Sequence, residues 1–371
     1  MMIPVYKPYL KNYKQSAIKC IQDEWISNHG IFVKLASDKM CEILGVKYCI
    51  LMNNGTSATQ CLYKALKFKY PQVTKIYVPN NVFVAPINCG LMEYPAEMFE
   101  VMKTNHETLN METNEDYIKS LEHNACVVVV HSLGNIINVP RLMRLRPDLI
   151  FLEDNCEGLF GQYEGQFSGT RSLCASISFY GNKTITTGEG GAFLTNDQEI
   201  FKYINNIYSH GMSEKRYVHD HLGYNFRMTN IEAGFLYDQL NDYQHILDLK
   251  KSIFATYDRL LSQQLDCHRV ILMRPEDSEH TIRSYWLYCL LIPLINYDQL
   301  EIFMEQKNVQ IRPIFYDLHV HAHLKGLHKT AEDPFTTEIA NHGLMLPSYP
   351  ELSVDEQKYI ISCIEEYLET H

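Results

Sequence analysis

The sequence predicts an α/β fold in which a largely parallel sheet, covered on both faces by helices, is followed by a smaller α+β unit. Short apolar runs alternate with segments of helical periodicity through the first two thirds of the chain. After about Lys250 the order becomes helix, strand, strand, helix. At 371 residues the chain is also too long for one minimal core. The expected division is a large domain over 1–249 and a small one over 250–371, packed together without a low-complexity linker.

The first expected strand is YCILMNN, from Tyr48 to Asn54, and the segment after it puts Ala58, Leu62, Ala65 and Leu66 on one helical face. Further strands are expected at KIYVP from Lys75, ACVVVVHS from Ala125, DLIFLEDN from Asp148, ASISFYG from Ala175 and GAFLTND from Gly191. A helix starts at Thr229, which with Glu232 makes the Thr-x-x-Glu pattern of a capping box. Beyond it come the strands YWLYCLLIPLI and VQIRPIF. A terminal helix follows, capped by Ser353 and Glu356, with Ile360, Ile361, Ile364, Tyr367 and Leu368 on one face.

Composition narrows the function. With 46% hydrophobic and 21% charged residues the chain reads as globular, and a net charge of -11 argues against a general nucleic-acid binder. Eleven cysteines are scattered singly with no CxxC pair, which fits reduced thiols better than a disulfide framework. The start MMIPVYKPYL lacks the pattern of a secretory signal, and the apolar run from Tyr285 to Ile295 is too short to cross a bilayer. A soluble, cytoplasmic protein acting on a small molecule is therefore expected, with no nucleic-acid or membrane partner.

One lysine, Lys183, sits in SISFYGNKTITTGEGG, where a core strand gives way to small, hydroxylic and glycine-rich residues. It is either a solvated loop residue or a reactive amine. Three other strand ends bear on the choice. LIFLEDNCEGLFG ends an apolar strand in Glu153, Asp154 and Glu157, either as an Asx turn or as an acid held for use. NNGTSAT places Gly55, Thr56 and Ser57 at a helix start, an ordinary N-cap or an anion site. VPNNVFVAP runs a strand into an aromatic, Phe83, which is core or a stacking surface.

Together these are the parts required to hold pyridoxal 5'-phosphate. The lysine forms a Schiff base, the aspartate keeps the pyridine nitrogen protonated, the helix start takes the phosphate and the aromatic stacks on the ring.

SFYGNKTITTGEGG, EDNCEGLFGQYEGQFSGT, NNGTSAT and GYNFRMTNIEA resemble, in order, the successive motifs of the DegT/DnrJ/EryC1/StrS family of sugar aminotransferases. WISNHGIFV near the start and LPSYPELS near the end fit as well, so the resemblance spans nearly the whole chain. The likeness is to members that aminate C4 of a nucleotide-linked 4-keto-6-deoxyhexose, of the perosamine- and viosamine-forming kind. The resemblance implies a fold-type I aminotransferase with a mixed, mainly parallel seven-stranded sheet. It also implies a homodimer with shared active sites, L-glutamate as amino donor and a product used in surface glycans.

Residue by residue, the resemblance implies that Lys183 is the covalent anchor and proton carrier and that Asp154 partners the pyridine nitrogen. Glu157 falls near the cofactor's phenolic oxygen and Phe83 on the ring face. Gly55, Thr56, Ser57 and Ser178 match phosphate contacts, and Asn225 matches one supplied by the partner subunit. For the substrate, Trp25, Ser27, His131, Arg312 and His319 are expected as contacts.

Some positions depart from the family pattern. Val82 stands where threonine is usual, Ser132 and Leu133 replace an apolar-aromatic pair, and Asn138 replaces an aspartate. Tyr316 and Asp317 stand where the perosamine type tends to have His-Pro. These bear on substrate choice rather than on the cofactor. Two other readings compete. A dehydratase of the same family would carry histidine in place of Lys183. A metal-dependent hydrolase would use His319, His321 and His323, which alternate in DLHVHAHLKGLH.

Overall fold

The computed structural model describes residues 2–264, 270–272, 277–278, 280–327 and 334–370. Its main sheet has seven strands: β1 (Tyr48–Met52), β2 (Ile76–Val78), β3 (Phe99–Val101), β4 (Cys126–Val130), β5 (Ile150–Asp154), β6 (Cys174–Ser178) and β7 (Gly191–Thr195). Their spatial order is β1, β7, β6, β5, β4, β2, β3. The run from β6 to β3 is parallel, whereas β7 lies antiparallel between β6 and β1. This is the mixed, mainly parallel sheet that the resemblance implied.

Burial on both faces explains the composition of the central strands. In β4, Cys126, Val128 and Val130 pack toward helix α3 (Gly55–Lys69), while Val127 and Val129 join a separate core on the opposite face with Phe151 and Ile118. All five residues are therefore apolar, and no polar alternation marks the strand. The edge strand β3 escaped the sequence reading because only Phe99 and Val101 are buried, with Glu100 pointing out. Two apolar residues in three positions are too few to show a period.

The helix capped by Thr229 is α4 (Asn230–Leu240), and the capping box is complete. It packs against helices α1 (Gln15–Gln22) and α2 (Ile31–Leu44). Helix α5 (Tyr243–Gln264) then feeds two cores: Ile246 and Leu247 pack with the first sheet, and Ile253, Tyr257 and Leu260 with a second cluster.

That second cluster surrounds a small antiparallel sheet of β8 (Tyr288–Leu291), β9 (Arg312–Pro313) and β10 (Gly343–Leu346), with β10 in the middle. The sequence expectation overstated β8 and β9 and missed β10. The terminal helix α6 (Val354–Thr370) is capped through Ser353 and Glu356, and it buries Ile360, Ile361, Ile364 and Tyr367 in this core.

Ten cysteines are free thiols; Cys267 lies outside the described residues. Among the described residues no helix is long and apolar enough to cross a membrane.

Candidate active site

The sheet brings distant segments to one edge. In register, Val130 pairs with Asp154 and Asp154 with Ser176, so β4, β5 and β6 end side by side. Because β7 is antiparallel, its first residue Gly191 lies opposite Ser178 on one side and Met52 on the other. The carboxyl end of β1, the start of α3 and the loop carrying Lys183 thus meet at the strand ends, where ligands collect in such sheets. The approach is close. A Cβ on Gly191 would stand 2.4 Å from the Asn54 carbonyl oxygen, and one on Gly55 would stand 2.7 Å from the Ser178 Cβ. Only glycine fits at either point.

A cavity of about 600 Å³ opens there. Lys183, Asp154, Glu157, Gly55, Thr56, Ser178, Phe83 and Arg312 all line it. Asp154 is buried at the end of β5, its Oδ2 accepting from the Thr59 hydroxyl at 3.1 Å and its Oδ1 from the Cys156 N–H at 3.1 Å. These bonds fix the carboxylate and leave it lone pairs for a further donor. Among the described residues the Lys183 amine has no hydrogen-bond acceptor. Its Nζ lies 3.9 Å from Glu157 Oε1 and 4.2 Å from the centre of the Trp286 ring.

Glu157 is wholly buried, and its other oxygen accepts the Leu133 N–H at 2.8 Å. Leu133 holds a left-handed conformation, φ 57°, that aims this N–H inward. Burial pushes the Glu157 carboxyl up to about 7, against the opposing pull of Lys183.

At the opposite wall Asn54 caps α3 by accepting the Ser57 N–H at 2.8 Å, which leaves the N–H groups of Gly55 and Thr56 facing the cavity end. The Ser178 hydroxyl accepts from the Tyr180 N–H at 3.3 Å, so its own proton is available to a ligand. A helix start with free N–H groups and a hydroxyl suits a phosphate. Beside it stand an amine without an acceptor and a braced carboxylate. This donor set fits pyridoxal 5'-phosphate.

Other expected contacts fall elsewhere. Ser57 spends its N–H on Asn54 and does not line the cavity. His131 is completely buried, with Nε2 on Glu153 Oε2 at 3.0 Å and Nδ1 on the Ile137 N–H at 3.1 Å, so neither nitrogen can reach a sugar. Trp25 and Ser27 are exposed near the start of α4, where Asn230 donates to the Trp25 carbonyl, and neither lines the cavity. Asn225 is exposed and likewise outside it.

His319 turns to Asp317, Nδ1 to Oδ1 at 2.6 Å, and His323 to Asn88, while His321 alone of the three faces the cavity. The histidines of the hydrolase reading therefore diverge. Among the described residues no group of three metal-ligating side chains forms.

The sequence reading also missed wall residues. Trp286, Phe315 and Met345 come from the C-terminal sheet region and close the cavity over Lys183, beside Tyr316, which the sequence had marked as bearing on substrate choice. Val82, at the threonine-to-valine departure, lines it as well.

Comparison with known proteins agrees with this geometry. The model of the DegT/DnrJ/EryC1/StrS aminotransferase family matches residues 9–365. The chain is 30% identical over 378 residues to the GDP-perosamine synthase of Vibrio cholerae, covering 99% of each chain. It is 27% identical over 370 residues to that of Escherichia coli O157:H7, covering 98% of each. Among solved structures, Helicobacter pylori PseC, an aminotransferase involved in pseudaminic acid biosynthesis, superposes with a TM-score of 0.90 over 100% of both chains at 22% identity.

Proposed function

Since the chain belongs to the DegT/DnrJ/EryC1/StrS aminotransferase family, whose cofactor is pyridoxal phosphate, we propose that it moves an amino group from L-glutamate to C4 of a nucleotide-linked 4-keto-6-deoxyhexose, of the perosamine or viosamine type. The product would enter surface glycan synthesis. The observation that carries this reading is the convergence of Lys183, Asp154 and the α3 N-terminus on one cavity. Retention of Lys183 favours amino transfer over dehydration.

When bound, pyridoxal phosphate supplies a carbonyl that takes up amines and a ring that accepts electrons from an adjacent carbon. The protein's own residues do the rest. Gly55, Thr56 and Ser178 would take the phosphate, and Asp154, braced by Thr59 and Cys156, would accept a hydrogen bond from the protonated ring nitrogen. Phe83, beside Phe315 at 6.1 Å between ring centres, would offer its face to the cofactor ring. Lys183 Nζ would carry the proton from the amino-acid Cα to the cofactor's carbonyl carbon, and in the second half from that carbon to C4 of the sugar.

Arg312 faces the cavity mouth, where an anionic group of either substrate can meet it. In the proposed homodimer the exposed Asn225 reaches the neighbouring subunit's phosphate site. The protein divides, in this reading, into a cofactor domain over 1–249 and a small domain over 250–371 that closes the cavity from above.

The test is optical. Purified protein loaded with cofactor should lose its visible absorption on adding L-glutamate and regain it with the correct keto sugar among GDP-, dTDP- and UDP-linked forms. Protein that stays colourless after cofactor is supplied would overturn the reading.

A further inference from the structure

One wall residue is held more tightly than a wall requires. Trp286 is 3% exposed, and three separate contacts fix it. Its indole N–H donates to the carbonyl of Asn182, the residue before Lys183, at 3.0 Å. Its ring lies nearly parallel to Phe315, 15° apart in plane. Its own carbonyl accepts from the Nζ of Lys250 at 2.6 Å, and Lys250 also donates to the Ser348 carbonyl. The exposed face of the indole is what the Lys183 amine rests on, 4.2 Å from the ring centre.

We infer that Trp286 is a positioning residue, a cation seat that holds the amine of Lys183 whenever that amine is free, and that Lys250 is the buried pin that keeps the seat in place. The inference rests on the assignment of Lys183 given above. An ammonium over an indole face is attracted by the ring's quadrupole, more strongly when water is excluded. Among the described residues the amine has no hydrogen-bond acceptor, and the ring face supports it from one side while Glu157 Oε1 stands 3.9 Å away on another. Each time Lys183 is displaced during amino transfer it needs a fixed resting place within reach of the reacting carbon, and the face of Trp286 supplies one.

Lys250 suits the role of pin. Burial lowers its amine to about 7, and a neutral amine has two N–H groups, one for each of the two carbonyls it meets. The lowered amine of Lys250 carries less charge than a free lysine, which limits repulsion with Lys183 across the small cavity of about 20 Å³ that both line. The other ionisable groups lining the two cavities that Lys183 borders are Glu157, Asp154 and Cys156 at the end of β5, Tyr180 and Glu189 on its own loop, and Tyr6, Lys7 and Tyr349 on the small cavity. Arg312, Tyr316 and His321 face it across the cavity. None of them is removed when Trp286 is changed, so a shift in the amine's titration reports on the ring.

The measurement uses cofactor-free full-length protein and follows the rate of pyridoxal phosphate uptake by absorbance as a function of pH. Uptake requires the neutral amine, so the midpoint of the profile reports its protonation. In Trp286→Leu the midpoint should move down by roughly 0.4 to 1.5 pH units, and in Trp286→Phe by less. The shift should persist in a Glu157→Gln background.

A folded Trp286→Leu protein whose midpoint stays in place, with or without slower uptake at every pH, would overturn the inference and leave Trp286 a plain wall. Lys183→Ala protein that still takes up cofactor with an unchanged spectrum would instead overturn the assignment of Lys183. Should Trp286→Leu fail to fold, the two tryptophans allow a second route. In a Trp25→Phe background, emission from Trp286 should show a pH-dependent step that disappears in Lys183→Ala, and a step that survives that change counts against the seat.

Discussion

Glu153 and Asp154 are neighbours in one strand, both buried, yet they face opposite sides of the sheet and do opposite things. Glu153 looks into a closed polar knot, with His131 at 3.0 Å, the Gly169 N–H at 2.9 Å and the Tyr163 hydroxyl at 3.2 Å. Burial alone would raise its carboxyl, but these donors outweigh the effect and hold it below the usual range. Asp154 looks into the cavity with two donors and room for a third. Burial therefore does not separate a structural acid from a working one; unspent hydrogen-bonding capacity beside open space does.

The contrast can be broken most directly on the cavity side. Lys183→Ala should lower turnover by at least about 10²- to 10⁴-fold, the range for losing a positioned acid–base group, and Asp154→Ala should cost a comparable factor. Neither should shift the melting temperature of cofactor-free protein by more than a few degrees. Near-native turnover in Asp154→Ala would show that the two acids do not differ in the way described.

On the closed side the expectation reverses. Glu153→Leu leaves His131, the Tyr163 hydroxyl and the N–H groups of Gly169 and Ser172 without this acceptor, and should destabilise the fold by about 3–5 kcal/mol. Denaturant titration would read this, with the turnover of the surviving folded fraction little changed.

A third test uses pH. The raised Glu157 group means that cofactor-free protein binds this proton more tightly when folded than unfolded. Its contribution is complete below about 4.5, the ordinary glutamate value, and is lost as pH rises through about 7. The whole span corresponds to roughly 3 kcal/mol at most. Glu157→Gln should flatten this part of the stability profile, and an unchanged slope would mean that Glu157 is already ionised at pH 5.

The smallest effect sharpens the comparison within the site. Thr59→Val removes one of the bonds that orient Asp154, worth about 0.5–1.5 kcal/mol, so turnover should fall roughly threefold to tenfold. A larger loss of stability than of rate would place Thr59 with the structural group.

Much of this site was legible because its signals are local. A strand ending in an acid, a strand ending in Asn-Gly-Thr-Ser and a lysine after Ser-Phe-Tyr-Gly each lie within a few residues, and the resemblance set them in order. His131 shows where locality fails. It follows β4 as an attractive polar residue, but its ring turns to Glu153 on the closed side while Val130 pairs with Asp154 beside the cavity. The alternation of strand faces carried that signal, since His131 stands one residue beyond Val130. Trp286 was illegible for a different reason. It lies 103 residues beyond Lys183 in an apolar stretch that reads as plain core, and only the docking of the C-terminal sheet region turns its face to the amine.

The antiparallel placement of β7 has a consequence in time. Tyr48 finds its partner in Thr195, so the platform for the phosphate is held by a pairing that spans most of the first sheet's sequence. During synthesis the early strands leave the ribosome long before β7 exists to bridge β1 and β6. Cofactor capture is then a late event that follows closure of this long-range pair rather than a nucleus for it. Refolding watched by circular dichroism and by cofactor absorbance together should show colour lagging behind secondary structure, and simultaneous signals would mean that the ligand helps to draw the two ends together.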